Sequence, residues 1–213
     1  MVSLMLASFA LRPDAASVLF VGNSHTSMNN VPEMVVKLAG SGKQPLKLSA
    51  RSISVANLED GAKSPQVMEQ IREGGYDFLI LQGAMVSSSH KYRYSQDGAV
   101  AMANAGKKAK AKVYLYAEWP RRGWDETDYI LQVYAEIQKP SGASIIPVGK
   151  TWEAVRKEFP EAELWHTDGN HALQAGSYIA AWSIYRKITG RKDAAWVPHR
   201  DLVPLNRYLQ KSH

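Results

Sequence analysis

The chain has 213 residues, of which 45% are hydrophobic and 22% charged, and it contains no low-complexity tract and no repeat at a fixed period. This length and composition are typical of one folded domain, so disorder is not the default. The sequence has no cysteine, which excludes disulfide bonds, a thiol nucleophile and cysteine-ligated metal sites.

The charge of the chain is basic, with 26 Lys and Arg against 20 Asp and Glu. Such an excess is compatible with nucleic acid or another anionic partner. The densest basic stretches, residues 107–112 and 186–192, fall at predicted helix ends, where cations interact favourably with the helix dipole. Since no nucleic-acid-binding motif accompanies them, we expect no nucleic-acid partner.

Residues 1–16 are interpreted as an N-terminal extension ahead of a domain over residues 17–213. Residues 2–11 are apolar, as in the h-region of a signal peptide, but no Lys or Arg precedes them. Both a cytoplasmic and an exported location therefore stay open. No apolar stretch approaches the roughly 18 residues that cross a bilayer, and we expect no membrane span.

Short apolar runs with the length of strands buried on both faces recur along the chain. They are residues 17–21, 46–53, 76–81, 112–117 and 144–148. Stretches of helical period alternate with them, at residues 31–38, 67–71, 96–109, 130–137 and 178–188. This alternation predicts one doubly wound α/β domain, in which helices cover a parallel sheet of five strands.

In a doubly wound sheet, ligands bind beyond the carboxyl ends of the strands. The first apolar run is followed by Gly22-Asn23-Ser24-His25-Thr26. A serine at a tight strand-to-helix turn exposes its hydroxyl, and its backbone N–H points toward any anion that forms there. Ser24 is therefore a candidate nucleophile; the alternative is that it or a polar neighbour caps the following helix.

A nucleophilic serine needs a base, and the base needs an acceptor that orients it. His25 is a poor candidate for the base because adjacent side chains on a turn generally diverge. The segment Asp168-Gly169-Asn170-His171 precedes the last predicted helix. A turn at its Gly-Asn dipeptide would let Asp168 accept from one imidazole nitrogen of His171 while the other nitrogen faces the serine.

Two other interpretations of this segment stay open. In the first, Asp168 caps the last helix and the histidines are surface or packing residues. In the second, His166, Asp168 and His199 form the two-histidine, one-carboxylate site of a non-haem iron enzyme. Those oxygenases are typically all-β barrels, which the alternation of strand and helix argues against.

Two blocks of the sequence resemble those of the SGNH or GDSL-type hydrolases. Gly22-Asn23-Ser24 resembles the first block of that family, Gly-Asp-Ser, and residues 168–171 resemble its final block, Asp-x-x-His. The resemblance spans residues 17–188. It implies a flavodoxin-like three-layer sandwich with a five-stranded parallel sheet, and ester hydrolysis with no metal and no organic cofactor.

Carried over by position, the resemblance also assigns roles to individual residues. Ser24 is expected to attack the acyl carbon and form an acyl-enzyme. His171 is expected to take the proton of the serine and later to protonate the leaving alkoxide. Asp168 is expected to orient His171, which completes a Ser-His-Asp triad.

The sequence departs from the family where the oxyanion hole is expected. The glycine of the second block has no counterpart in residues 52–57, which leaves Ser54 as a candidate donor beside the N–H of Ser24. The third block lacks its asparagine, and Gln82 is the candidate because its carboxamide is the same donor one methylene further out. The alternative for Gln82 is a hydrogen bond to neighbouring loop backbone.

The resemblance favours a short acyl ester, such as an acetyl ester, of a carbohydrate or small alcohol as the substrate. Four tryptophans are candidates for a sugar or acyl platform, or else are packing residues: Trp119, Trp124, Trp152 and Trp165. Arg121 and Arg122 either receive an anionic substrate or belong to a solvated loop. The rival function is a non-catalytic, flavodoxin-like module that binds a small ligand.

Overall fold

The predicted strands all pair, and they pair in parallel. In the computed structural model, which describes residues 15–212, the sheet has five strands in the order β2-β1-β3-β4-β5. The strands are β1 (Ala16–Gly22), β2 (Leu48–Ser54), β3 (Phe78–Leu81), β4 (Lys112–Ala117) and β5 (Ser144–Pro147). This is the flavodoxin-like strand order, whose switch point lies between β1 and β3.

Helices connect the strands and follow the last one. They are α1 (Ser24–Ser27), α2 (Val31–Gly40), α3 (Leu58–Lys63), α4 (Pro65–Arg72), α5 (Asp97–Lys108), α6 (Thr127–Ser141), α7 (Val148–Glu158), α8 (Gln174–Thr189) and α9 (Val203–Lys211). The periodicity of the sequence predicts α2, α4, α5, α6 and α8. It misses the short helices α1 and α3, and also α7 and α9.

The helices form a layer on each face of the sheet. Along β1, Val18 and Phe20 point into one core, which contains buried residues of α2, α7, α8 and α9. Leu19 and Val21 point into the other core, with buried residues of α3 to α6. Because alternate side chains of a strand lie on opposite faces, a strand covered on both faces is apolar throughout. The predicted three-layer α/β fold is confirmed.

The last long helix has a clear end. Gly190 follows α8 with φ of +68°, and its N–H donates to the carbonyl of Arg186. This left-handed conformation is the usual reason for a glycine just beyond a helix. The end of α8 therefore lies one residue beyond the predicted helical stretch 178–188.

Two predictions concern the N-terminal residues and a possible membrane span. The apolar residues 2–11 of the predicted N-terminal extension lie outside the described residues. Within residues 15–212, no helix is both long enough and apolar enough to cross a bilayer.

Candidate active site

The turn after β1 is built around a close approach of backbone and side chains. A methyl group on Gly22 would lie 2.4 Å from Thr26 Oγ1 and 2.7 Å from Gln82 Oε1, so only glycine fits at this position. Asn23 then caps α1, its Oδ1 accepting from the N–H of His25 at 3.0 Å. Ser24 is the first residue of α1 and is exposed.

The side chain of Gln82 fixes this turn by hydrogen bonds. Its side chain is fully buried, and its Oε1 accepts hydrogen bonds from the N–H of Asn23 at 3.0 Å and from Thr26 Oγ1 at 2.9 Å. These two donors lie on either side of Ser24 along the chain. The carboxamide of Gln82 thereby fixes the backbone that carries the serine.

The segment before α8 folds into a tight hairpin. Trp165 and Ala172 form an antiparallel bridge, and the N–H of His166 donates to the carbonyl of His171 at 2.8 Å. Gly169 takes a φ of +71°, which the turn between the two arms requires. The hairpin presents the side chains of its turn toward the carboxyl end of the sheet.

Asp168 is bound on both of its oxygens within this hairpin. Its Oδ1 accepts from the N–H groups of Asn170 and His171, at 2.8 and 2.9 Å, and its Oδ2 lies 2.7 Å from His171 Nδ1. The hydrogen bond from the His171 side chain, followed by those from the two backbone N–H groups, holds the pKa of Asp168 well below its ordinary value. Asp168 is therefore a stable anion beside the imidazole.

A hydrogen bond between side chains joins the turn after β1 to the hairpin. Ser24 Oγ lies 2.8 Å from His171 Nε2, so Ser24, His171 and Asp168 form one hydrogen-bonded row. Neither Ser24 nor Asp168 caps the helix that follows it. Asn30 caps α2, and α8, which starts after Leu173, has no side-chain cap. The geometry thus favours the row over the capping alternatives.

Asn29 ties the two segments together a few residues beyond the serine. Its Nδ2 donates to the carbonyl of Ala172 and to Ser177 Oγ, both at 3.0 Å. Asn29 has a left-handed φ of 57°, which asparagine tolerates better than most residues. The position of the hairpin relative to Ser24 is therefore set by direct hydrogen bonds as well as by the packing of α2 on α8.

His25 packs behind the imidazole of His171. Its ring lies 4.8 Å from the ring of Trp119 and meets His171 edge-on at 5.4 Å, centroid to centroid. Burial, and then the neighbouring His171, lower the pKa of His25 to about 4. His25 is therefore neutral near pH 7, and it acts as a packing residue rather than as a second base.

The other histidines do not form the alternative iron site. His166 Nδ1 lies 3.5 Å from Asp168 Oδ2, but His199 pairs with Asp201 at 3.0 Å. Across residues 15–212, no group of three or more His, Asp or Glu side chains is arranged to hold a metal ion.

The two remaining oxyanion candidates occupy different environments. Ser54 is exposed at the end of β2, and its register partner across the sheet is Gly22. Gln82, by contrast, is fully buried, and its carboxamide oxygen accepts a hydrogen bond from the backbone N–H of Asn23. For Gln82 the structure favours the alternative role, a hydrogen bond to neighbouring loop backbone.

Three of the four tryptophans pack against one another in the protein interior. Trp119 stacks on Trp152 at 4.7 Å, and Trp152 meets Trp165 edge-on at 4.9 Å, all three being buried. Trp119 Nε1 also donates to the carbonyl of Asn170, which joins the loop after β4 to the hairpin. Trp124 is the exception, with 54% of its surface exposed.

The arginines after β4 are engaged within the protein. Arg121 donates to both carboxylate oxygens of Glu126 and to the carbonyl of Ser88. Arg122 donates to the carbonyls of Trp165 and His166, at 2.7 and 3.1 Å. Both guanidinium groups are thus structural donors. Arg122 is also exposed in the loop, so the two alternatives, an anion site or a solvated loop, stay predictions.

Two buried acidic residues lie near this site, Glu118 and Glu126, and the sequence patterns assign neither of them a role. Glu118, the first residue after β4, is 9% exposed, and Tyr134 donates to its Oε2 at 2.5 Å. The same Tyr134 hydroxyl accepts from the N–H groups of Gly83 and Ala84. The signal that was available is an acidic residue directly after a buried strand, within the Tyr-Ala-Glu-Trp stretch.

No protein-family model and no curated protein matches this chain. Solved structures do. A protein from Slackia heliotrinireducens assigned to the SGNH hydrolases has a TM-score of 0.63 and 22% identity, over 82% of this chain and 100% of that chain. The family 3 carbohydrate esterase of Clostridium thermocellum has a TM-score of 0.60 and 13% identity, over 92% and 100%.

A third similar structure is the psychrotrophic esterase EstA from Pseudoalteromonas sp., inhibited by monoethylphosphonate, with a TM-score of 0.55 and 13% identity. It covers 82% of this chain and 97% of its own. These comparisons establish the fold, which is that of the SGNH hydrolases, as the sequence blocks predict.

Proposed function

We propose that this chain, which has the SGNH hydrolase fold, is a carboxylic-ester hydrolase with Ser24 as nucleophile, His171 as general base and Asp168 as the orienting acid residue. The observation that carries the proposal is the hydrogen-bonded row of these three side chains, with contacts of 2.8 and 2.7 Å. A nucleophile, a base and an orienting carboxylate at such distances are the parts that acyl transfer needs.

The reaction proceeds in two halves. With the Nδ1–H of His171 donating to Asp168, Nε2 is left to accept the proton of Ser24 as Oγ attacks the ester carbonyl carbon. The bond from that carbon to the alcohol oxygen then breaks, and His171 returns its proton to the leaving alkoxide. Water attacks the acyl-Ser24 in the same manner, giving the carboxylic acid and the free serine.

Charge on the carbonyl oxygen has to be stabilised in both halves. The N–H of Ser24, in the first turn of α1, has no partner within the helix and is the first proposed donor. A backbone or hydroxyl donor at Ser54 is the second. Gln82 contributes indirectly in this scheme, since its Oε1 fixes the backbone at Asn23 and therefore the direction of the next N–H.

The proposed substrate is a short acyl ester, such as an acetyl ester, of a carbohydrate or small alcohol. A cavity of about 170 Å³ adjoins the site and is lined by His25 and Asn170, the neighbours of Ser24 and His171. Pockets for drug-sized ligands are roughly 300 to 1,000 Å³, so this volume suits a substrate whose alcohol part is small. A carbohydrate esterase with the same fold is compatible with this class of substrate.

The test compares initial hydrolysis rates on p-nitrophenyl acetate and p-nitrophenyl octanoate for the wild-type protein, Ser24→Ala and the control Ser27→Ala. Ser27 ends the same helix and is exposed. We expect wild type and Ser27→Ala to be active, Ser24→Ala to be inactive, and the acetate to be preferred. A phosphonate ester should add covalently to Ser24, as detected by mass spectrometry of the peptide.

If the wild-type protein is folded, inactive on both esters and unreactive toward the phosphonate, the hydrolase proposal fails. The non-catalytic ligand-binding module would then be the better description.

A further inference from the structure

The cavity beside the site has a polar wall formed by the loops after β3 and β4. Ser87 and Ser88 line it from the first loop, and Glu118 and Arg121 from the second, with Glu126 of the segment before α6 completing the wall. It touches the site through His25 and Asn170. A substrate whose ester lies at Ser24 would extend into this space.

Glu118 is the unusual member of the wall. It is 9% exposed, and it forms no ion pair with any residue in the described range 15–212. A buried carboxyl group without a cation is costly, and side chains of this kind concentrate at functional sites. Its hydrogen bond from Tyr134 holds one oxygen in place, so that the group is fixed where it lines the cavity.

The other charges of the wall compensate one another. Arg121 lies 2.7 Å from Glu126 Oε2 and also donates to Glu126 Oε1 and the carbonyl of Ser88. The Nε and Nη2 donors of Arg121 are thus engaged within the protein. Because the Arg121 side chain is already paired with Glu126, the described residues of the wall offer an anionic substrate group no unpaired cation, which disfavours acids and phosphates.

An apolar substrate group is disfavoured for a different reason. It would cover the polar atoms of Glu118 and Ser87 without forming hydrogen bonds to them, which leaves polar groups unpaired. Hydroxyl groups can replace those hydrogen bonds, because each donates one and accepts others. The polar wall therefore matches a small polyhydroxylated group, whose ring carbons can contact the apolar residues that also line the cavity, Ala84, Val86 and Ile130.

We propose that the Glu118 cavity binds the alcohol part of the substrate as an uncharged, hydroxyl-bearing group of about one sugar ring, with the Glu118 carboxyl accepting a hydrogen bond from a hydroxyl. This inference rests on the proposed hydrolase function. It adds a specificity-determining residue, Glu118, which lies outside the Ser24-His171-Asp168 row.

The test uses three acetyl esters that differ in the alcohol: 6-O-acetylglucose, p-nitrophenyl acetate and the cationic acetylcholine. Glu118→Gln keeps the size of the side chain but weakens its acceptor, and Glu136→Gln is the matched control on the outer face of α6, where Glu136 pairs with Arg93. The measured quantity is the ratio of kcat/KM on 6-O-acetylglucose to that on p-nitrophenyl acetate. We expect Glu118→Gln to lower this ratio about tenfold, mainly through KM, and Glu136→Gln to leave it unchanged.

If Glu118→Gln and Glu136→Gln show the same ratio of kcat/KM on the two esters, the inference is overturned while the hydrolase function stays intact. A wild-type preference for acetylcholine that Glu118→Gln abolishes would also overturn it, since the cavity would then select a cation.

Binding of methyl glucoside, followed by saturation-transfer NMR and by the indole N–H shift of Trp119 in the cavity wall, does not depend on turnover. We expect binding in the wild type that Glu118→Gln weakens and Glu136→Gln retains. If the protein hydrolyses no ester, or if Glu118→Gln does not fold, this measurement still decides: the absence of any wild-type effect on Trp119 would overturn the inference.

Discussion

Gln82 Oε1 accepts a hydrogen bond from the backbone N–H of Asn23 at 3.0 Å, directly before the proposed nucleophile. Gln82→Leu removes this acceptor and leaves two buried donors unpaired, at a cost of about 1 to 3 kcal/mol each. We expect kcat to fall about tenfold or more with little change in KM, because the turn loses its geometry rather than its substrate contacts. Steady-state kinetics and thermal unfolding would measure the two effects.

Gln82→Glu separates positioning from oxyanion binding. It retains the acceptor oxygen but lacks the amide donor, so we expect it to be more active than Gln82→Leu. Equal, near-complete inactivity of both folded variants would instead point to an oxyanion donor. The exposed Gln138→Leu is the control for introducing a leucine.

Gly22→Ala tests the close packing under the turn. The added methyl group would lie 2.4 Å from Thr26 Oγ1, and both neighbours are held by hydrogen bonds. We expect the free energy of unfolding to fall by about 1 to 3 kcal/mol, with a loss of activity, as for other overpacked sites. Gly40→Ala at the end of α2 is the control, since its methyl group would meet no atom within 4 Å. A fully stable and active Gly22→Ala would contradict the described turn.

Asp168→Asn tests the orienting role of the carboxylate. Asparagine can present its amide N–H to His171 Nδ1 and so favour the tautomer that cannot accept the proton of Ser24. We expect kcat to fall on the order of 10³-fold or more, with circular dichroism unchanged. Asp128→Asn, on the exposed start of α6, should keep the wild-type rate. A folded Asp168→Asn with near-normal turnover would remove Asp168 from the mechanism.

The buried imidazole of His25 predicts a pH dependence of stability. Its pKa is about 4 in the folded protein, against a reference value of 6.5. The unfolded chain binds the proton more readily between these values, so this residue lowers stability as pH falls from about 6.5 to about 4, by on the order of 2 kcal/mol. Relative to wild type, His25→Phe should therefore gain stability on acidification, as measured by urea unfolding at pH 7 and pH 4.5.

Glu118 changes the stability with pH in the opposite direction to His25. The effect of His25 is therefore isolated only by comparing His25→Phe with wild type. Burial raises the pKa of Glu118 to about 7, so its contribution to stability decreases as pH rises from about 4.5 to about 7. The exposed His199→Asn serves as a control, and a difference between His25→Phe and wild type that does not change with pH would refute the assignment.

The strands and the main helices could be predicted because their patterns are local. Continuous apolar runs identify β1 and β3, which are buried on both faces, whereas β2 lies at the edge of the sheet and most of its residues are exposed, contrary to the expectation. The spacing of Val31, Met34, Val35 and Leu38 identifies α2. The sequence pattern does not show α7, because this helix begins at Val148, directly after β5, and the strand and the helix share an apolar stretch. The helix α9 is short and buries only Leu205, Asn206 and Leu209, although its sequence is amphipathic.

The candidate site divides in the same way. Ser24, Asp168 and His171 were predicted as partners because strand order and turn-forming residues place them at one edge of the sheet. The contacts of Gln82 and the burial of Glu118 depend on distances between side chains from different strands, which spacing along the chain does not encode. The same holds for Arg121, whose carboxylate partner in Glu126 is fixed by the loop conformation.

The two contacts of the proposed site differ in how far apart their residues lie along the chain. The contact between His171 and Asp168 closes within one short turn and needs no distant part of the chain, whereas the contact between Ser24 and His171 joins residues 147 positions apart. Loosening of the tertiary packing, for example at Asn29, would therefore separate the serine from an intact histidine-aspartate pair. Hydrolytic rate in this protein is accordingly a sensitive gauge of how closely its first and last segments are docked.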